Sequence, residues 1–215
     1  MKLLLTSTGV INSEIINALQ STLDKPLSEV TVFFVPTAIN QLEDSRQRLS
    51  EYKSQLSDLV KKTHTVDIAK EQKIEWIEKL NNSDLIYVSG GNPYYLLYWV
   101  RKSGLSDILS EALQTKAYFG ISAGSMILGK QIPIEPKDFS LDYIDKNDPH
   151  KALGLVSFNI EPHFGSAEHP DLSDKNLKKM AKDYNPIYAL GDQSALLIKD
   201  GEITIINEDG VKYYK

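Results

Sequence analysis

The 215-residue sequence contains no cysteine. Disulfide staples, thiolate metal sites and a cysteine nucleophile are thereby excluded, and a reducing, cytoplasmic setting is the expectation. Long apolar runs are missing as well. Nothing approaches the roughly 20 apolar residues that a membrane span requires, and the run Leu3-Leu4-Leu5 is too short for a secretory signal. No membrane is expected among the partners. Arginine is scarce, occurring only at 46, 48 and 101, and with 24 Lys and Arg against 29 Asp and Glu the formal net charge is −5. That balance argues against a general nucleic-acid binder, which needs a clustered basic surface. The lysines at 61–62 and 175–182 interleave with acids and apolar residues and read as solvated helix faces. No internal repeat stands out. What remains is 41% hydrophobic and 25% charged, the composition of an ordinary globular chain, with a length suited to one domain over residues 1–215.

Apolar, β-branched runs alternate with amphipathic stretches through the first half. Strands are predicted at 2–7, 30–35, 64–68, 84–88 and 117–121, and helices at 11–23, 45–62, 70–80, 94–100 and 105–113. This alternation implies βαβ units in an α/β three-layer sandwich, with a mostly parallel central sheet flanked by helices. Functional residues of such sheets collect beyond the carboxyl ends of the strands. The loop 137–151, rich in Asp, Pro and Lys, reads as a surface excursion. A helix at 172–184 and a strand at 187–190 follow. The end is predicted to be antiparallel, with strands 195–198, 203–206 and 211–214 joined in two hairpins by Asp200-Gly201 and Asp209-Gly210.

Chemistry concentrates at Gly120-Ile121-Ser122-Ala123-Gly124. An apolar run enters it and the helix-compatible Met126-Ile127-Leu128 follows, which is the strand, sharp turn and helix order of a nucleophile elbow. Serine needs a base at neutral pH. His163, in the loop after a predicted strand, is the best candidate; His150 and His169 are weaker, and His64 reads as a structural or surface histidine. Three carboxylates compete to orient the imidazole: Asp192, Glu135 and Glu161, with Asp192 preferred because it follows strand 187–190. The N–H of Ala123 comes with the elbow as an oxyanion donor, and the turn Gly90-Gly91 can supply a second.

Together Ser89-Gly90-Gly91-Asn92, the elbow and Glu161-Pro162-His163-Phe164 resemble the peptidase E family, serine peptidases that include aspartyl dipeptidases and the related cyanophycinases. The resemblance spans nearly the whole chain. It implies a class I glutamine amidotransferase-like fold, Ser122 as nucleophile, His163 as base, and Gly91 with Ala123 as oxyanion donors, with Asn92 beside them on the substrate side. It implies a small peptide substrate, no metal or organic cofactor, and a homodimer as the common assembly. Two departures accompany it. Gln131-Ile132-Pro133-Ile134 stands where aspartyl dipeptidases carry an acidic Asp-x-Pro-Ile, while Gly191-Asp192-Gln193-Ser194-Ala195-Leu196 resembles the later stretch in which cyanophycinases place a glutamate. No arginine follows the histidine; Lys175, Lys178 and Lys179 occupy that helix. The alternatives are a catalytically impaired relative that binds a small ligand, or an amidase or esterase on another acyl substrate.

Overall fold

The computed structural model describes residues 1–136, 138 and 140–215. Strands β1 (Lys2–Thr6), β2 (Thr31–Val35), β3 (Lys62–Thr65), β4 (Leu85–Val88) and β5 (Ala117–Ile121) alternate with helices α1 (Ser13–Ser21), α2 (Ser45–Ser57), α3 (Lys73–Asn81), α4 (Pro93–Lys102) and α5 (Leu105–Ala112). A short helix α6 (Ala123–Met126) follows the elbow, then β6 (Asn159–Glu161), α7 (Asp174–Tyr184), β7 (Ile187–Leu190), β8 (Ala195–Lys199), β9 (Glu202–Ile206) and β10 (Val211–Tyr214). The main sheet runs β3-β2-β4-β5-β1-β8-β9. Its first five strands are parallel, and β8 and β9 add antiparallel to the β1 edge. This is the expected α/β sandwich.

The central strands are buried on both faces, which is why they read as unbroken apolar runs. Alternate side chains enter two cores. Leu3, Leu5, Phe33, Val35, Ile86 and Tyr118 pack toward α3, α4, α5 and α6. Leu4, Val32, Phe34, Tyr87 and Phe119 pack toward α1 and α2. In the second core Phe34, Tyr87 and Phe119 stack across three strands, with centroids 4.4 and 5.0 Å apart. Each such fully buried side chain contributes about 1.5–3 kcal/mol.

Several boundaries differ from the expectation. Helix α2 stops at Ser57 rather than 62, because the Leu59 and Val60 N–H groups both turn back to the Leu56 carbonyl. Strand β3 accordingly starts earlier and ends before Val66. The helix after the elbow ends at Met126 instead of running through Leu128. Residues 152–160 are buried mainly as loop, and only Asn159–Glu161 pairs as a strand. The 137–151 excursion is closed by a bridge between Gln131 and Lys151; Lys137 and Phe139 lie outside the described residues.

The largest correction concerns the C-terminus. The first hairpin, β8–β9, forms, but β9 does not pair with β10. A 3-10 turn at Glu208–Gly210 carries the chain to a second sheet of order β10-β7-β6, where β10 is antiparallel to β7 and β6 parallel to it. The Gly210 carbonyl accepts the Gly191 N–H at 2.7 Å and the Ser194 hydroxyl bonds the Asn207 carbonyl at 3.0 Å. These contacts hold Asp209-Gly210 against β7 and outweigh its local preference for a two-residue hairpin. Helix α7 covers this sheet through Leu177 and Ala181, packed on Ile187, Ala189 and Tyr214.

Candidate active site

Ser122 sits between β5 and α6 with φ 46° and ψ −109°, a conformation that costs a non-glycine residue about 1–3 kcal/mol. The surrounding glycines permit it. A Cβ on Gly124 would overlap the Val88 carbonyl, and one on Gly120 would come within 2.9 Å of the Gly124 backbone. The turn is anchored to β1: the Ser122 N–H bonds the Thr6 carbonyl at 3.0 Å, and the buried Ser125 hydroxyl reaches the Thr6 and Gly120 carbonyls, both at 2.9 Å.

His163 follows β6 and Asp192 follows β7. Because those strands are parallel neighbours, their carboxyl ends emerge side by side. His163 also has positive φ, 63°, and Phe164 prolongs the pairing by donating its N–H to the Leu190 carbonyl at 3.0 Å. The result is a continuous hydrogen-bonded chain. His163 Nδ1 lies 2.8 Å from Asp192 Oδ1, and His163 Nε2 lies 3.1 Å from Ser122 Oγ. With the ring proton on Nδ1 and donated to the carboxylate, Nε2 is free to accept the serine proton.

Ser7, at the carboxyl end of β1, completes the centre and carried no signal in the sequence. Its buried hydroxyl donates to Asp192 Oδ1 at 2.8 Å and accepts the His163 N–H at 2.9 Å. Thr8 adds a hydrogen bond to the Asp192 carbonyl at 2.6 Å. Burial pushes the His163 imidazole below its ordinary 6.5, against the raising influence of Asp192. Burial alone would raise Asp192, but hydrogen bonds from His163 and Ser7 outweigh it and leave the carboxyl below 3.8. The centre is therefore set for neutral imidazole beside ionised carboxylate at neutral pH. His169 stacks on His163 with centroids 4.5 Å apart, at its flank rather than as a base.

The other carboxylates lie elsewhere. Glu135 faces His150, 3.5 Å from its Nε2. Glu161 is buried at the end of β6 with Oε2 unpartnered among the described residues. Gln131 is fixed by its N–H to the Asn159 side chain at 2.8 Å. The glycine turn after β4 stands opposite the elbow: Gly91 has φ 134° and a Cβ there would overlap the Ala38 carbonyl. Among the described residues neither the Gly91 nor the Ala123 N–H is tied into a hydrogen bond. Asn92 is engaged differently from the expectation. Its side-chain oxygen caps α4 by accepting from Tyr94 and Tyr95 N–H, both at 3.0 Å, and its amide points to the Tyr143 hydroxyl.

A cleft of about 490 Å³ opens over His163 and Asp192, bounded by Ser7, Tyr52, Gln55, Arg48 and Glu168 among others. The model of peptidase family S51 matches residues 3–206. The chain belongs to peptidase family S51. As a member of this family it is a serine peptidase. An uncharacterized peptidase of Listeria monocytogenes is 31% identical over 80% of this chain and 84% of its own length. A peptidase E of Pasteurella multocida is 26% identical over 84% of this chain and 76% of its own. A crystal structure from Listeria monocytogenes EGD-e, described provisionally as peptidase E, superposes with a TM-score of 0.77 at 29% identity, covering 95% of this chain and 97% of that one. An actinobacterial peptidase shares the fold at a TM-score of 0.69 and 20% identity, covering 95% and 86%.

The cleft also revises the reading of positive charge. Of the arginines, Arg48 reaches the cleft from α2, where Asp44 at 3.0 Å and Glu51 at 3.8 Å flank it. Lys175, Lys178 and Lys179 do not line it, and Lys178 pairs with Asp174 at 2.7 Å. The place of Arg48 at the cleft leaves no mark in the sequence, because the residue lies far ahead of the elbow on a helix whose spacing announces only its apolar stripe. No helix of the described residues is long and apolar enough to cross a membrane.

Proposed function

We propose that this peptidase cleaves small peptides, in the manner of a dipeptidase, with Ser122, His163 and Asp192 as its catalytic triad, within one domain over residues 1–215 acting in the cytoplasm. The observation that carries the reading is the unbroken chain from Asp192 through His163 to Ser122, with links of 2.8 and 3.1 Å. His163 Nε2 takes the hydroxyl proton as Ser122 Oγ bonds to the scissile carbonyl carbon. The carbonyl electron pair moves onto oxygen, facing the N–H groups of Gly91 and Ala123. When the oxyanion collapses, the C–N bond breaks and the Nε2 proton passes to the departing amine. Water then repeats the sequence on the acyl-enzyme, releasing the acid and regenerating Ser122. Asp192 keeps its charge throughout and offsets the imidazolium, while Ser7 holds both partners in register.

Incubation with a mixed dipeptide library, read by mass spectrometry, tests this. Wild-type protein is expected to consume particular dipeptides and Ser122→Ala to consume none. Equal consumption by both, or none by wild type, overturns the assignment.

A further inference from the structure

One polar group beside the nucleophile has no part in this mechanism. Tyr52, on α2, lines the same cleft as His163 and Asp192. Its ring packs on the core formed with α1 and α2, and its carbonyl accepts the Tyr87 hydroxyl at 3.2 Å. One turn on, Gln55 accepts the Val10 N–H and donates to the Thr8 carbonyl, both at 3.0 Å, which ties α2 to the loop carrying Ser7. The phenol is thus held rigidly, as a preorganised contact requires. Its hydroxyl has no hydrogen-bond partner among the described residues.

The position of that hydroxyl is specific. A methyl group added at Gly90 would lie 2.5 Å from the Tyr52 oxygen and 3.2 Å from Ser122 Cβ. Only glycine at 90 lets the phenol and the nucleophile stand this near, with an α-hydrogen between them. The same turn presents the Gly91 N–H.

We propose that the Tyr52 hydroxyl donates a hydrogen bond to the scissile carbonyl oxygen as it becomes an oxyanion, acting beside the Gly91 and Ala123 N–H groups. This rests on Ser122 being the nucleophile. The phenol keeps its proton throughout, and burial, which raises it above its ordinary 10, preserves it as a donor at neutral pH. A donor of this kind accelerates the reaction only to the extent that its bond strengthens in the transition state.

The test compares wild type with Tyr52→Phe, which conserves ring volume and the packing on α2. Turnover of a dipeptide selected from the library is measured, together with inhibition by the matching peptide aldehyde, which forms a tetrahedral adduct with serine. Removal of the hydroxyl is expected to lower kcat roughly 10- to 100-fold with KM changed less than about 3-fold. Aldehyde affinity should fall by a comparable factor while affinity for an unreactive peptide alcohol holds. A kcat within about 2-fold of wild type, or a loss confined to KM, overturns the proposal. Wild type that neither turns over dipeptides nor forms the aldehyde adduct instead sinks the triad assignment, and this inference with it. A thermal melt of the variant matching wild type separates the lost hydrogen bond from damage to α2.

Discussion

Replacing Asp192 with asparagine probes the centre most directly. The amide keeps the shape of the side chain, and whichever of its two ends takes the Oδ1 place can still bond the Ser7 hydroxyl, which lies 2.8 Å from that atom and can accept as well as donate. The fold should therefore hold. What disappears is a negative charge 2.8 Å from His163 Nδ1. The imidazolium formed when Ser122 yields its proton is then no longer offset. An amide N–H turned toward Nδ1 would also move the ring proton to Nε2, which faces Ser122 Oγ at 3.1 Å and could then accept nothing. Together these effects are expected to lower kcat about 10³- to 10⁴-fold, or about 4–5.5 kcal/mol at 1.36 kcal/mol per decade.

The pH dependence supplies a second readout of opposite sense. Burial lowers His163 while Asp192 raises it. Activity requires the unprotonated base, so the acid limb of wild-type kcat/KM should fall below pH 6.5. Without the carboxylate the raising influence goes, and the limb should move further toward acid. General damage to the protein would lower the rate without extending its acid range. The assay is kcat/KM for one dipeptide between roughly pH 4 and 9. A loss smaller than about tenfold, or an acid limb displaced upward, would falsify the orienting role of Asp192.

Three further outcomes follow from backbone strain, burial and close packing. Ser122→Gly relieves the positive φ, and after glycine's greater unfolded freedom is deducted it should melt about 2–4 °C above Ser122→Ala; an equal or lower melting temperature contradicts the strain. Glu161 is buried and pushed up to about 8 from 4.5. Across that window the folded chain keeps a proton that the unfolded chain has released, so stability declines as pH rises. Glu161→Gln should remove this decline, its melting advantage over wild type growing from pH 5 to 8, and a pH-independent difference argues against it. In Gly124→Ala the new Cβ meets the Val88 carbonyl, so β4 and the elbow must separate, with a melting temperature lowered by more than about 4 °C and activity lost; a wild-type melt would show that the contact relaxes without cost.

How much of this was legible beforehand depended on how local each signal is. Four of the five parallel strands could be read because burial on both faces writes them as apolar runs, while the polar edge strand β3 was placed two residues late, and Gly120-x-Ser122-x-Gly124 announces its turn because its sterics are satisfied within five residues and one neighbouring strand. Ser7 had no such mark. A serine at a strand end is common, and its meaning comes from Asp192, which the fold brings from 185 positions away. Arg48 and Tyr52 were hidden for the related reason that a helical stripe records which side is apolar, not which cleft lies beneath it. Asn92 illustrates the reverse. Its place before Pro93 is a capping signal in its own right, and its oxygen is taken up in the cap of α4.

The misread C-terminal hairpin bears on the active site itself. Had β10 paired with β9, β7 would have lost its antiparallel neighbour and Gly191 its acceptor at Gly210. Asp192 would then hang from a strand supported only by the three paired residues of β6. By crossing to the second sheet, β10 clamps β7 from the other side and fixes the loop from which Asp192 reaches His163. The parallel pair β6–β7 sets the two residues side by side, and Ser7 at the end of β1 joins that sheet to the main one, where Ser122 waits at the end of β5. The proposed catalytic geometry is thus the meeting of two sheets, and a residue-by-residue hairpin preference gives way because the Gly210 carbonyl holds the Gly191 N–H.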